Sequence, residues 1–459
     1  MSSPNSFGQL GLSILGVGTQ YPPYSLKPDA VETLAKRFHN ADGDSMKKVL
    51  SINRFTGIDT RSSIGEPNHP VVNHPDPPSV EELHKVFIDE GVPLAVSASR
   101  KAIAEASIDL DQITHVVSTT CTDSANPGYD QFVCEGLGLT HQVEKVLLHG
   151  VGCAGGLAAL RTAANLALGH TFRGKPARIL VNALEVSTTL VRSELDSIDK
   201  LNETRIGPCL FSDCASAVIL SNGIGDELRG SKPPIYELLG WDHRIVPGTA
   251  HDLGFDVHPH GWKVVLTPRV PKIAQNALQP TYTDLLASLK LPQPWQDAKP
   301  ADFDWAMHPG GATILTGAER AMGLMPEHMR ASYDVYMNHG NSSSATIFSV
   351  LDRLRSKDMD ACTPKERGPK EYVVGCAFGP GVSVEMCMLK RNLSLRPESV
   401  ALQTPPETES EESTDRGSED GEESVMSEDG YVEEKAGGSK TGLEGDKFIS
   451  QALASVELD

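Results

Sequence analysis

Three side chains, far apart in the chain, carry the chemistry this sequence offers: a thiol, an imidazole and a carboxamide. Cys153 lies in the run Val146-Leu147-Leu148-His149-Gly150-Val151-Gly152-Cys153-Ala154-Gly155-Gly156. Residues 146–148 read as a buried strand, and residues 157–169, rich in Ala and Leu, read as a helix apolar on nearly every face. The thiol is thereby expected at a strand-to-helix handover, where unpaired N–H groups and the positive end of the helix dipole favour thiolate over thiol. Gly152, Gly155 and Gly156 are expected to leave room for a substrate carbonyl to approach backbone N–H groups. His308 sits in Trp305-Ala306-Met307-His308-Pro309-Gly310-Gly311, where the proline and glycines end a strand sharply and keep the imidazole accessible. Asn341 sits in His339-Gly340-Asn341-Ser342-Ser343-Ser344-Ala345, a turn leading into a helix. Each has a plainer reading: a core cysteine, a hydrogen-bonded turn histidine, a helix-capping asparagine. Together they supply a nucleophile, its base or ion-pair partner, and a dipole for a developing oxyanion.

Positioning these groups takes an α/β body. Strands are predicted near residues 10–18, 114–119, 146–148, 178–185, 215–221, 235–240, 303–307, 372–376 and 382–389. Helices are predicted at 30–38, over most of 79–110, and at 129–137, 157–169, 312–325 and 344–355. A Gly/Lys/Pro-rich break at 222–234 separates two successive halves, 10–225 and 226–395, each expected to bury a layered sheet. Cys153 and His308 fall at matching strand ends, where open α/β sheets bind ligands. Residues 1–9 read as a flexible N-terminus. Residues 396–459 read as a disordered acidic tail: from Pro397 onward there are 18 Asp/Glu against 4 Lys/Arg, so the tail holds −14 of the chain's −20. With few large apolar residues, such a segment cannot offset its ordering entropy. Residues 447–458 within it read as a short helix or a frayed end.

The same numbers exclude several classes. The negative balance argues against a nucleic-acid or anionic-membrane partner for the chain as a whole. Eight cysteines at 121, 134, 153, 209, 214, 362, 376 and 387 show no CxxC pairing, which fits reduced thiols and speaks against a structural zinc. No metal is expected: His69, His74 and His84, in and beside a Pro-rich loop at 64–78, are irregularly spaced and lack companion carboxylates. No signal peptide and no apolar run of transmembrane length is present, so a cytoplasmic protein is expected.

The three motifs together resemble those of a known family. GCAGG with Cys153, WAMHPGG with His308 and HGNSSSAT with Asn341 are similar to the Cys-His-Asn set of type III polyketide synthases, the chalcone synthase-like enzymes. GVGTQYPP (16–23), NALEVS (182–187), LFSDCAS (210–216) and CAFGPGVSVE (376–385) resemble further family motifs, so the likeness spans roughly residues 10–390. Ser212 and Cys214 stand where glycines are usual, and Ala377 replaces the first glycine of the last loop. With the Pro-rich loop and acidic tail, these departures point to the fungal branch, whose members make 2'-oxoalkylresorcylic acids, alkylresorcinols or alkylpyrones.

The resemblance implies a thiolase-like duplicated fold of five layers, α-β-α-β-α, working as a homodimer. It also implies a reaction. Cys153, paired with His308, takes the acyl group from an acyl-CoA starter; His308 and Asn341 hold the malonyl-CoA carbonyl during decarboxylation; the enolate extends the chain. CoA thioesters are substrates, and no cofactor is implied. Phe211 matches the phenylalanine that separates CoA tunnel from cavity. Cys121, Leu190 and Ser343 fall where the family lines its cavity, and Lys48, Arg54 and Arg61 where it meets CoA phosphates. Two other classes remain in view: a single-round ketoacyl synthase III-like condensing enzyme, against which the His-Pro-Gly-Gly context and Phe211 speak, and a non-catalytic acyl-CoA-binding scaffold. A papain-like protease does not fit the surroundings of the cysteine.

Overall fold

Two runs of strands and helices follow one another in the chain and fold to one plan. The structure, a computed structural model, describes residues 10–226, 233–258, 261–289, 291–293 and 295–397. The first run holds β1 (Leu12–Gln20), α1 (Val92–Ala106), β2 (His115–Thr119), β3 (Glu144–Leu148), α2 (Gly155–Phe172), β4 (Arg178–Val186) and β5 (Asp213–Ser221). The second holds β6 (Tyr236–Ile245), α3 (Val270–Ser288), β7 (Asp304–Met307), α4 (Ala312–Met322), α5 (Thr346–Leu354), β8 (Tyr372–Gly379) and β9 (Ser383–Arg391). The strands form one sheet in the order β7-β8-β9-β6-β1-β5-β4-β2-β3.

The repetition is visible in that order. From the outer edge inward the first half runs third, second, fourth, fifth, first. The second half runs β7, β8, β9, β6, the same succession without an edge strand among the described residues. Sense repeats too: β2 is parallel to β4 and β7 to β8, while the next two pairings in each half are antiparallel. The halves join where β1 pairs antiparallel with β6.

The core divides into layers as the duplication requires. One apolar cluster joins α2 and α5 to strands of both halves, through Leu157, Ala163, Ile347 and Leu351 against Val117, Val181, Ala306 and Val373. A second packs α1 on the other face of the first half-sheet. A third packs α3 and α4 on the other face of the second. The result is helix, sheet, central helices, sheet, helix. All nine residues of α5 are buried, as befits a helix in the middle layer.

Two sequence expectations are corrected, and a third, the mostly helical stretch 79–110, holds in finer detail. β3 is an edge strand, its first three residues exposed and its last two half-buried, rather than a buried one. Among the described residues it has a strand neighbour on one side only; Val146 is exposed, while Leu147 and Leu148 pack half-buried against the core. The predicted helix over 79–110 is three pieces: Val80–Val86, a π turn at Phe87–Gly91, and α1, which stops at Ser107 with φ of 53°. α4 ends at Met322, where Gly323 takes a left-handed φ of 65° that permits the cap. The N-terminal nine residues, the acidic tail and the 447–458 segment lie outside the described residues. Among the described residues, no helix is long and apolar enough to cross a membrane.

The central layer is tight. A Cβ on Gly156 would stand 2.5 Å from Ile347 Cγ2 and 2.6 Å from the Ser344 carbonyl oxygen. Gly156→Ala is therefore expected to destabilise the protein by about 2 kcal/mol, overpacking outweighing the roughly 1 kcal/mol of helix preference that Ala brings. Urea unfolding checks this; a variant as stable as wild type would mean that the helices can part.

Candidate active site

The duplication brings Cys153 and Asn341 to equivalent places. Each half turns through a short 3-10 segment, Gly152–Ala154 or Ser343–Ala345, and then enters its central helix. Cys153 lies in the first of these turns, and Asn341 just before the second. His308 follows β7 directly, its backbone N–H donating to the Cys376 carbonyl at 2.8 Å. All three line one cavity of about 520 Å³. Much of the remaining wall is apolar, including Ile206, Leu210, Leu253, Phe255, Trp262 and Val264.

His308 is 1 % exposed, and among the described residues neither ring nitrogen has a hydrogen-bond partner. Burial pushes its pKa down to about 3. An unpaired imidazole facing a cavity is costly for stability alone and is the kind of feature a reacting group retains. Asn341 is equally fixed. Its Oδ1 accepts the Ser343 N–H at 2.8 Å, and its Nδ2 donates to the Gly310 carbonyl at 3.2 Å, so the NH2 side is turned toward the loop that follows His308.

Cys153 differs from the sequence reading. Burial raises its thiol to about 12, with nearby Glu185 adding to the rise and a 3.4 Å hydrogen bond from Ser343 Oγ opposing it. The helix terminus does not by itself yield a thiolate, because desolvation outweighs it. A proton passed from Cys153 to His308 creates two opposite charges that offset each other's desolvation, which neither achieves alone.

The glycines also differ. The space beside Gly152, which adopts φ of 50°, is filled by the Pro380 ring, 2.7 Å from a would-be Cβ. Gly155 would strike Thr119 Oγ1 and Ser344 Cβ, and Gly156 the start of α5. Gly155 and Gly156 therefore serve protein-to-protein approach, while Gly152 also lines the cavity.

The other candidates separate. Cys121, Phe211 and Ser343 line the same cavity. Phe211 also borders a smaller adjoining cavity of about 40 Å³, meets Phe255 edge-on at 6.0 Å, and is tied by a backbone bridge to Asn341. Ser343 holds a left-handed φ of 46°, uncommon for a residue with a side chain, and reaches Cys121 Sγ as well as Cys153. Leu190 is buried and is not among the residues that line the cavity. Arg61 is 5 % exposed, donating to Asn53 Oδ1 and the Cys209 carbonyl, so its charge is committed inside the fold. Arg54 is exposed and paired with Glu32 at 2.7 Å; Lys48 shares its helix, Asp44–Arg54, and both lie near Ile52, which lines the cavity. The histidines of the Pro-rich region go separate ways: His69 to Glu90, His74 to the backbone of Asp76, His84 to Asp123.

Sequence reasoning passed over Glu185. It is fully buried, and burial raises its pKa. It accepts bonds from the Cys121 N–H, Thr122 Oγ1 and Ser344 Oγ, linking both halves behind Cys153. Its place in NALEVS was the available signal. Arg269 and Lys272 flank Val270 and Pro271 of the cavity wall, and nothing local in their sequence marks them.

Comparison with known proteins decides the family. Residues 13–224 match the model for the N-terminal domain of chalcone and stilbene synthases, and residues 237–393 that for the C-terminal domain. The chain belongs to this family, the type III polyketide synthases. It is an enzyme of acyltransferase type with a thiolase-like fold. A type III polyketide synthase of Penicillium soppii is 40 % identical over 394 residues, covering 83 % of this chain and 96 % of its own. The acylalkylpyrone synthase of Aspergillus oryzae is 38 % identical over 381 residues, covering 83 % and 94 %. Among solved structures, a type III pentaketide synthase from Neurospora crassa has 72 % identity and a TM-score of 0.81, covering 83 % of this chain and all of its own. CsyB complexed with CoA-SH has 38 % identity and a TM-score of 0.78, with the same coverage.

For this polyketide synthase, iodoacetamide labelling of Cys153 tests the thiol–imidazole pairing. Wild type is expected to label at neutral pH. His308→Ala leaves the thiol to burial alone and is expected to label more than roughly tenfold slower at pH 7. Its rate should then rise about tenfold per pH unit, since thiolate grows with pH below a raised pKa. Equal rates and equal pH profiles would contradict the pairing.

Proposed function

We propose that the enzyme extends a long-chain fatty acyl-CoA by repeated decarboxylative condensation with malonyl-CoA and then cyclises the product. The observation that carries this reading is the convergence of Cys153, His308 and Asn341 on one largely apolar cavity, with both imidazole nitrogens unpartnered. In the first step Cys153 sulfur attacks the starter thioester, its proton passes to His308, and CoA leaves as the thiol. Malonyl-CoA then loses CO2. The enolate oxygen accepts hydrogen bonds from an N–H of His308 and from Asn341 Nδ2, donors held in a dry site where such bonds count most. The enolate carbon attacks the acyl-Cys153 carbonyl, the sulfur departs, and the chain, two carbons longer on CoA, returns to Cys153. Neutral His308, favoured by burial, is the donor this step needs.

An apolar wall suits an alkyl starter, and a cavity of this size is within the range of small-molecule sites. The relative named a pentaketide synthase supports several condensations, and the one named an acylalkylpyrone synthase supports closure to a pyrone. Alkylresorcylic acid or alkylresorcinol is the other product class in view. Phe211 is assigned the boundary between CoA tunnel and cavity, Cys121 and Ser343 the cavity wall, and Lys48 and Arg54 contact with CoA phosphates. A homodimer is also proposed: β3 offers an exposed, partly apolar edge on which a second copy's strand can pair. A cytoplasmic setting fits free thiols throughout.

Incubation with a panel of acyl-CoAs plus malonyl-CoA, with mass analysis of products, tests the reading. Products carrying several malonyl-derived units on long-chain starters are expected. A product of one condensation only would favour the ketoacyl synthase III-like alternative. No turnover with any starter, from enzyme that still binds CoA thioesters, would favour a scaffold.

A further inference from the structure

The end of the first half-sheet remote from Cys153 gathers three side chains for which the reaction has no use. His115 opens β2, Glu144 opens β3, and the two are register partners across the parallel pair, so their side chains leave the same face. His170, in the last turn of α2, meets His115 edge-on with ring centroids 4.7 Å apart. One ligand atom of each residue lies within 4.8 Å of the others. His115 is buried, His170 half-buried and Glu144 exposed.

A carbonyl behind His170 and a hydroxyl behind His115 engage the Nδ1 of each ring. Thr114 Oγ1 donates to the Arg178 carbonyl at 3.1 Å and accepts the Arg178 N–H at 3.0 Å. With its one proton on that carbonyl, Thr114 Oγ1 accepts from His115 Nδ1, 2.8 Å away. The Pro176 carbonyl has no proton at all, so His170 Nδ1, at 3.0 Å, is also a donor. With both protons on Nδ1, each Nε2 carries a free lone pair. His115 Nε2 faces Glu144 Oε2 at 3.8 Å. Two neutral imidazole nitrogens and a carboxylate make a trio of acceptors with no donor among them. A metal cation can satisfy all three at once.

Burial and the neighbouring His170 hold the His115 pKa down, which disfavours a proton as that cation. The negative end of the α2 dipole favours positive charge at this spot. An outer acceptor on each Nδ1 is the usual support of a metal-binding histidine.

We propose that His115, His170 and Glu144 bind one divalent transition-metal ion of the zinc class, with water in the remaining position. Imidazole donors select such an ion over calcium or magnesium. Zinc ligands at about 2.0–2.1 Å stand roughly 3.3 Å apart in a tetrahedron, so the trio must close by about 1–1.5 Å. The exposed Glu144 and half-buried His170 side chains have the freedom to do so. Bound there, the ion clasps the edge strand β3 to the end of α2. A strand pairing on the β3 edge would use its backbone and leave these side chains in place.

The test uses the full chain, stripped with chelator and with thiols blocked by iodoacetamide, titrated with Co2+. One Co2+ per chain is expected, giving d–d absorption without a thiolate charge-transfer band, displaced by Zn2+, and raising Tm. His170→Gln and Glu144→Gln, both on accessible side chains, are each expected to weaken Co2+ binding by roughly tenfold or more and to remove the Tm rise. With thiols unblocked, both variants are expected to form polyketide as wild type does. Absence of stoichiometric uptake, uptake unchanged in both variants, or a charge-transfer band placing the ion on cysteine would each overturn the proposal. So would a Tm that responds to pH through His115 and His170 but not to metal.

Discussion

The contact between the two central helices sets the geometry on which the rest of the enzyme depends. α2 and α5 meet where Gly155 and Gly156 face Ser344 and Ile347, so closely that no Cβ fits between them. Each helix follows a turn beside one of the proposed reacting groups, Cys153 in the turn before α2 and Asn341 just ahead of the turn before α5. The packing of the two helices therefore helps to set the distance between the proposed nucleophile and the carboxamide. His308 is added from the end of β7, which the parallel pairing with β8 holds in register. Groups far apart in the chain meet on rigid elements, 190 residues apart in the Ser343–Cys153 hydrogen bond. Such precision is what a reaction with two successive carbonyl electrophiles needs.

Dryness is the second constraint, and it acts in opposite senses on ground state and reaction. Burial raises the Cys153 thiol and the Glu185 carboxyl and lowers His308, so an isolated charge is disfavoured at every position. The same low dielectric strengthens N–H donors aimed at an enolate oxygen, because they need no reorganisation when charge develops. Glu185 stands behind the wall with its acceptors filled from Thr122, Cys121 and Ser344, which braces both halves against each other. Burial thus favours the uncharged form of each of these groups.

Much of this was legible from residue types and their neighbours. Cys153, His308 and Asn341 each carry a short surrounding motif, and those motifs together pointed to one cavity. What stayed hidden was whatever depends on the far side of a contact. Val146-Leu147-Leu148 reads alike as a core strand and as an exposed edge, because an apolar triplet says nothing about how many neighbours it has. The glycines around Cys153 looked like space for substrate, whereas Pro380, Thr119 and Ser344 fill that space from distant parts of the chain. Arg61 looked like a phosphate partner, and only the fold turns its guanidinium inward to Asn53 and Cys209. Leu190 is likewise buried and outside the lining. The trio of His115, Glu144 and His170 depends on the register of a parallel strand pair, for which a sequence has no local signal.

The central claim is that one sulfur receives the acyl chain and that the carboxamide acts only afterwards. Intact-protein mass spectrometry after mixing with an acyl-CoA alone addresses it directly. The account predicts an acyl adduct on wild type and on Asn341→Ala, located at Cys153, and none on Cys153→Ala. An adduct of equal yield on Cys153→Ala would contradict it.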